Sequence, residues 1–111
     1  MANTPLYAHV GHDSKYGLQI TVDGVPKDIT NFNAEFYLKP SSEDDDAEAS
    51  VYSAGYGLTV VDATLGMVDV TVPADDIGTV QDILWYHLDV VDPLNAENRG
   101  EAMFGLFCVN P

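Results

Sequence analysis

Two alternating runs enclose a connector built from turn residues, and this arrangement restricts the chain more than any other feature. The first run is Tyr16 to Asp23, with Leu18, Ile20 and Val22 on one face. The second is Phe32 to Lys39, in which Ala34, Phe36 and Leu38 point one way and Asn33, Glu35, Tyr37 and Lys39 the other. A period of two marks a half-buried β-strand. Between them, Asp23-Gly24 supplies turn chemistry, because glycine accepts positive φ without steric cost. Pro26 fixes its own φ and is expected to keep the connector out of a central strand. The pattern predicts an all-β fold and carries no catalytic signal.

The 111 residues suit one domain, 1–111, with residues 1–5 as an extended N-terminal arm. A hydrophobic fraction of 46% excludes a disordered chain. The formal charge is −14, from 18 acidic residues against Lys15, Lys27, Lys39 and Arg99. Such a field opposes nucleic acid and anionic lipid, so neither partner is expected. No apolar run approaches the length of a membrane span, and the first residues have no signal-peptide pattern, so synthesis in the cytoplasm is expected. Cys108 is the only cysteine, which excludes an intrachain disulfide and a cysteine-based zinc site. Its apolar neighbours predict a small buried hydrophobe.

The rest of the chain continues the strand pattern. Leu6–Gly11 reads as a first strand, and Ser50–Asp62 as strand material bent at Gly55 or Gly57. Thr64-Leu-Gly66 is a turn, and Met67–Val72 alternates with Val68, Val70 and Val72 inward. A short helical turn is expected in Ala74–Asp82, where early acidic residues favour a helix start. Leu84–Val91 is a strand with Leu84, Tyr86, Leu88 and Val90 inward. Asp92–Gly100 reads as a hairpin loop and Glu101–Val109 as the last strand. About seven short strands separated by turns predict an antiparallel β-sandwich. Residues 41–48, rich in carboxylates, read as an exposed loop without the spacing of a calcium loop.

No catalytic, cofactor or metal constellation emerges, so the chain is not expected to be an enzyme. His9 and His12 are three apart and face opposite sides of a strand, so they do not converge. His87 shares a face with Trp85 and Asp89 and reads as a partly exposed structural residue. Tyr37, Trp85, Met103 and Phe107 form either an outward apolar patch or the contact with a second sheet.

The connector and following strand, Asp23-Gly24-Val25-Pro26-Lys27-Asp28-Ile29-Thr30 and Ala34-Glu35-Phe36-Tyr37-Leu38-Lys39-Pro40, resemble the immunoglobulin-like β-sandwich modules of tailed-phage virion proteins. The resemblance spans about residues 16–109 and includes the strands ending at Pro73 and Asp92. It implies an immunoglobulin-like sandwich at the surface of a virion. A capsid decoration or cement protein, bound to the major capsid protein and self-associated as a dimer or trimer, is the first form of that role. A tail, baseplate or fibre adaptor, or a host-binding module, is the alternative. The expected interface comprises Leu6, Tyr7, Val10, Trp85 and Phe107, since strand edges and outward aromatics seek partners.

Overall fold

The computed structural model describes residues 2–39, 50–77 and 82–110. The expected acidic loop at 41–48 lies outside them. Among the described residues eleven strands form: β1 (Ala2–Asn3), β2 (Leu6–His9), β3 (Ser14–Gln19), β4 (Thr21–Val22), β5 (Val25–Pro26), β6 (Asn33–Lys39), β7 (Ser50–Ala54), β8 (Gly57–Asp62), β9 (Met67–Val72), β10 (Asp82–Asp92) and β11 (Asn95–Asn110). A 3₁₀ turn covers Ala63–Leu65, and α1 covers Ala74–Ile77.

The main sheet runs β1–β11–β10–β6–β7–β8–β9–β3, with β2 also paired to β11; β4 and β5 make a separate hairpin. Most pairings are antiparallel, but β1 and β2 both run parallel to β11. The expected all-β, mostly antiparallel fold is borne out, but the main sheet is not clearly a sandwich of two sheets. A sandwich has two separate sheets, whereas β7 bonds to β6 through Phe36↔Tyr52 and Leu38↔Ser50 and to β8 through Ser53↔Gly57. The sheet therefore turns a corner at Gly55 and Gly57 and folds over itself as a nearly closed barrel.

Period-two burial builds the interior. Ala34, Phe36, Leu38, Val68, Val70, Val72, Tyr86, Leu88 and Val90 are all buried, as the alternation predicts. Phe36 packs between Tyr86, stacked at 5.3 Å, and Tyr52 at 5.8 Å. Phe107 meets Tyr16 edge-on at 5.7 Å, which joins β11 to β3 across the interior.

Three local expectations change and one holds. Val22 is exposed, because regular pairing in β3 stops at Gln19 and the chain enters the β4–β5 hairpin. Pro26 stays out of a central strand as expected, pairing opposite Thr21 in a two-strand ribbon where its missing N–H breaks no central ladder. The hairpin loop shrinks to a turn at Pro93-Leu94, and β11 starts at Asn95 rather than Glu101. Cys108 is only half-buried, because Phe107 and Val109 take the inward positions on either side of it.

β1 and β2 share one register against β11. Ala2 lies opposite Met103, Asn3 opposite Phe104 and Leu6 opposite Phe107. Pro5, which has no N–H, interrupts the strand, while Thr4 N–H still bonds to the Phe104 carbonyl at 3.1 Å. Residues 2–9 thus run along the edge of β11 that β10 does not occupy. Tyr16 O–H closes the seam by donating to the Tyr7 carbonyl at 2.7 Å.

Candidate docking site at the open seam

The outer face of β6, β10 and β11 carries a polar network. Odd positions of β10 face away from the barrel interior, yet His87 and Asp89 are 7% and 6% exposed. The expectation of a partly exposed His87 is corrected by its neighbours. Its ring stacks on Tyr37 at 4.5 Å, and its Nδ1 lies 2.7 Å from Asp89 Oδ1. With a carboxylate as acceptor, that nitrogen carries the proton. Asp89 uses its other oxygen to accept from Arg99 Nε at 3.1 Å. Arg99 Nη2 donates to Glu35 Oε1 at 2.6 Å and to Tyr37 Oη at 2.9 Å. The Tyr37 hydroxyl itself donates to Glu35 Oε1 at 3.0 Å.

Register makes this convergence possible. Asp89 lies opposite Glu35, His87 opposite Tyr37, and Val91 opposite Arg99. Burial raises the Tyr37 phenol above the ordinary tyrosine range; Arg99 opposes that shift and Glu35 adds to it. Burial also works against the Arg99 charge, but Tyr37, Asp89 and Glu35 outweigh it and hold the guanidinium above its ordinary value.

His87, Asp89 and Glu101 also place donor atoms within 4.8 Å of one another. The geometry favours a closed ion-pair network over a metal centre. His87 Nδ1 and Asp89 Oδ1, 2.7 Å apart, already bond to each other, so an ion would have to displace that hydrogen bond. Arg99 at 3.0 Å already neutralises the Asp89 carboxylate.

Next to this network the barrel is open. A cavity of about 510 Å³ lies between Ile20–Asp23 on one side and Arg99–Ala102 on the other, with Phe32 and Val90 also lining it. Lys27 sits at the same cavity, its ammonium 5.1 Å from the Phe32 ring centroid. Loop chemistry fixes the hairpin wall. Asp28 Oδ1 accepts from the backbone N–H of Thr30 at 2.9 Å and from its hydroxyl at 2.5 Å. Those bonds hold the Asp28 carboxyl below its usual range. The same Asp-x-Thr arrangement recurs at Asp62, which accepts from the Thr64 N–H at 3.1 Å. The two loops are joined where Ile29 N–H donates to the Ala63 carbonyl and Ile20 N–H to the Gly66 carbonyl, both at 2.8 Å.

A fold of this kind is already known. Across the whole chain the structure matches the N-terminal domain of phage TP901-1 ORF48, with a TM-score of 0.69 and coverage of 90% of that chain. Identity is 14%, so the likeness is one of fold. No family model matches the sequence, and no curated protein matches it.

The residues expected at an interface separate into two groups. Leu6 and Phe107 face each other across β2 and β11 and belong to the core, with Phe107 fully buried; they are corrected from surface to interior. Tyr7 is exposed, while Val10 and Trp85 are half-buried. None of the five lines the cavity. The residues that do, such as Gly100 and Lys27, gave no periodic signal. Glycine in a strand marks a close approach or an opening, and Gly100 was hidden inside an apparent loop.

Proposed function

We propose that this chain is a structural docking module of a bacteriophage particle rather than an enzyme. The observation that carries the reading is the match of the entire chain to a phage protein's N-terminal domain. The virion-like connector at Asp23–Thr30 supports it independently. So does the outer-face cluster, whose polar groups are consumed by one another.

Two forms of this role differ in location. An adaptor within a tail or baseplate is supported by the neighbour, which is the leading domain of a longer chain. A decoration protein bound as an oligomer to a major capsid protein is the other form, supported by a charge of −14 that keeps unassembled copies apart. Quantitative mass spectrometry of purified particles tests both. Copies in the hundreds establish decoration, and a handful per particle establishes the adaptor. Absence from particles removes the virion role altogether.

A further inference from the structure

We infer that the open seam is an acceptor for an extended strand of another virion protein, which pairs with β11 at Arg99–Ala102 and sets an apolar side chain over Gly100. The inference deepens the docking reading and rests on it. β10 pairs with one edge of β11 at Asn95, Arg99–Glu101 and Met103–Val109, whereas among the described residues pairing on the other edge starts where Ala2 meets Met103. Among the described residues no strand pairs with Asn95–Ala102 on that side. A row of unpaired main-chain donors and acceptors is a template for another strand. The edge also has the right form, because β1 and β2 already pair with it in parallel in a single register. An added strand continues that line into the cavity between β11 and Ile20–Asp23.

The cavity has a place for a side chain. A Cβ built on Gly100 meets nothing within 4 Å, and the Gly100 partner Val90 is in the cavity wall. The volume of about 510 Å³ lies within the usual range of ligand pockets. Arg99 makes this edge stiff, since its bonds to Asp89 and Glu35 tie β11 across β10 to β6. Charge selects the occupant. The cavity lining balances Asp23 and Glu101 against Lys27 and Arg99, so the selecting field is that of the whole chain, at −14. A strand with an apolar centre and flanking Lys or Arg fits this field; an acidic strand does not.

The test selects random decapeptides on the immobilised full chain, then measures affinity and amide hydrogen exchange. Selected peptides are expected to be apolar at the centre and basic at the flanks, and to slow exchange at Arg99–Ala102. Against Gly100→Trp they should lose at least about tenfold in affinity. The melting temperature should stay unchanged and Gly100→Ala should keep full binding. Gly100→Val provides a smaller filler if the tryptophan variant is unstable. The inference is overturned if the library yields no binder or if the binders ignore every Gly100 filler. Protection of Arg99–Ala102 on concentrating the free protein, without peptide, also overturns it by making a second copy the occupant. Presence in particles without edge binding removes the strand inference alone. Edge binding without presence in particles removes the virion role alone.

Discussion

Among the described glycines, Gly66 has the least freedom to change. It closes the 3₁₀ turn at φ +68°, a conformation that side chains rarely adopt. A Cβ there stands 2.6 Å from the Lys27 carbonyl oxygen and 2.7 Å from that of Ile20. Both obstacles are backbone, in the segment that walls the cavity. Gly66→Ala is expected to cost about 3 kcal/mol, combining left-handed strain with overpacking. Gly100→Ala should leave stability within about 0.5 kcal/mol, because its Cβ enters open space. Urea titration of both variants checks the contrast. Two buried tyrosines set a second prediction. Burial pushes the Tyr86 phenol up to about 12, and its hydroxyl donates to the Thr4 carbonyl. Burial and the Asp76 carboxylate, 2.5 Å away, push Tyr52 up further. An unfolded tyrosine ionises near pH 10. The folded state therefore favours the neutral phenols, and that stabilisation is complete below about pH 10 and lost as pH rises through about 12. The melting temperature should fall over that window. A double variant, Tyr52→Phe with Tyr86→Phe, should flatten the fall; an equal slope in both proteins would refute the assignment.

Strand β10 shows how an element can be buried on both faces while its sequence still alternates. Tyr86, Leu88 and Val90 pack inward, and His87 and Asp89 are covered on the outer side. Arg99→Met would leave the buried Asp89 carboxylate with His87 alone. A loss of about 1–3 kcal/mol is expected for such a deprived acceptor. Arg99→Lys should recover only part of it, since an ammonium cannot repeat the planar fork that reaches Asp89, Glu35 and Tyr37. A chemical denaturation series reads both, and an unchanged Arg99→Met would mean the network contributes nothing. The inward faces of β6, β9 and β10 were legible because period two depends only on local sequence. The outer network was not legible. Glu35, Asp89 and Arg99 look like ordinary exposed charges until pairing register brings three strands together. The same limit hid the seam. Strand-like character at Leu6–Val10 was readable, but its parallel partner lies about a hundred residues away. The early start of β11 was masked by Pro93 and the polar residues after it, which suit a long loop equally well.

At the scale of the whole molecule, a barrel that nearly closes is governed by the gap beside β11 and by its charge. Residues 2–9 fill the gap beside Met103–Asn110, and the Tyr16 hydroxyl fastens that half. The other half stays open beside Arg99–Ala102. Two kinds of strand fit the opening, one from another copy and one from a different protein. Charge distinguishes them. Two copies at −14 each repel, so pairing between copies should strengthen as salt rises. A basic strand is attracted by the same field, so its binding should weaken, mainly through slower association. At about 0.1 M salt the screening length is only about 10 Å, so a series spanning that concentration captures both trends. Peptide affinity and self-association should be measured in parallel over this series. Opposite slopes are expected, with peptide affinity falling. A peptide affinity that rises with salt would show that apolar contact alone drives docking, and the basic flanks would then have to be abandoned.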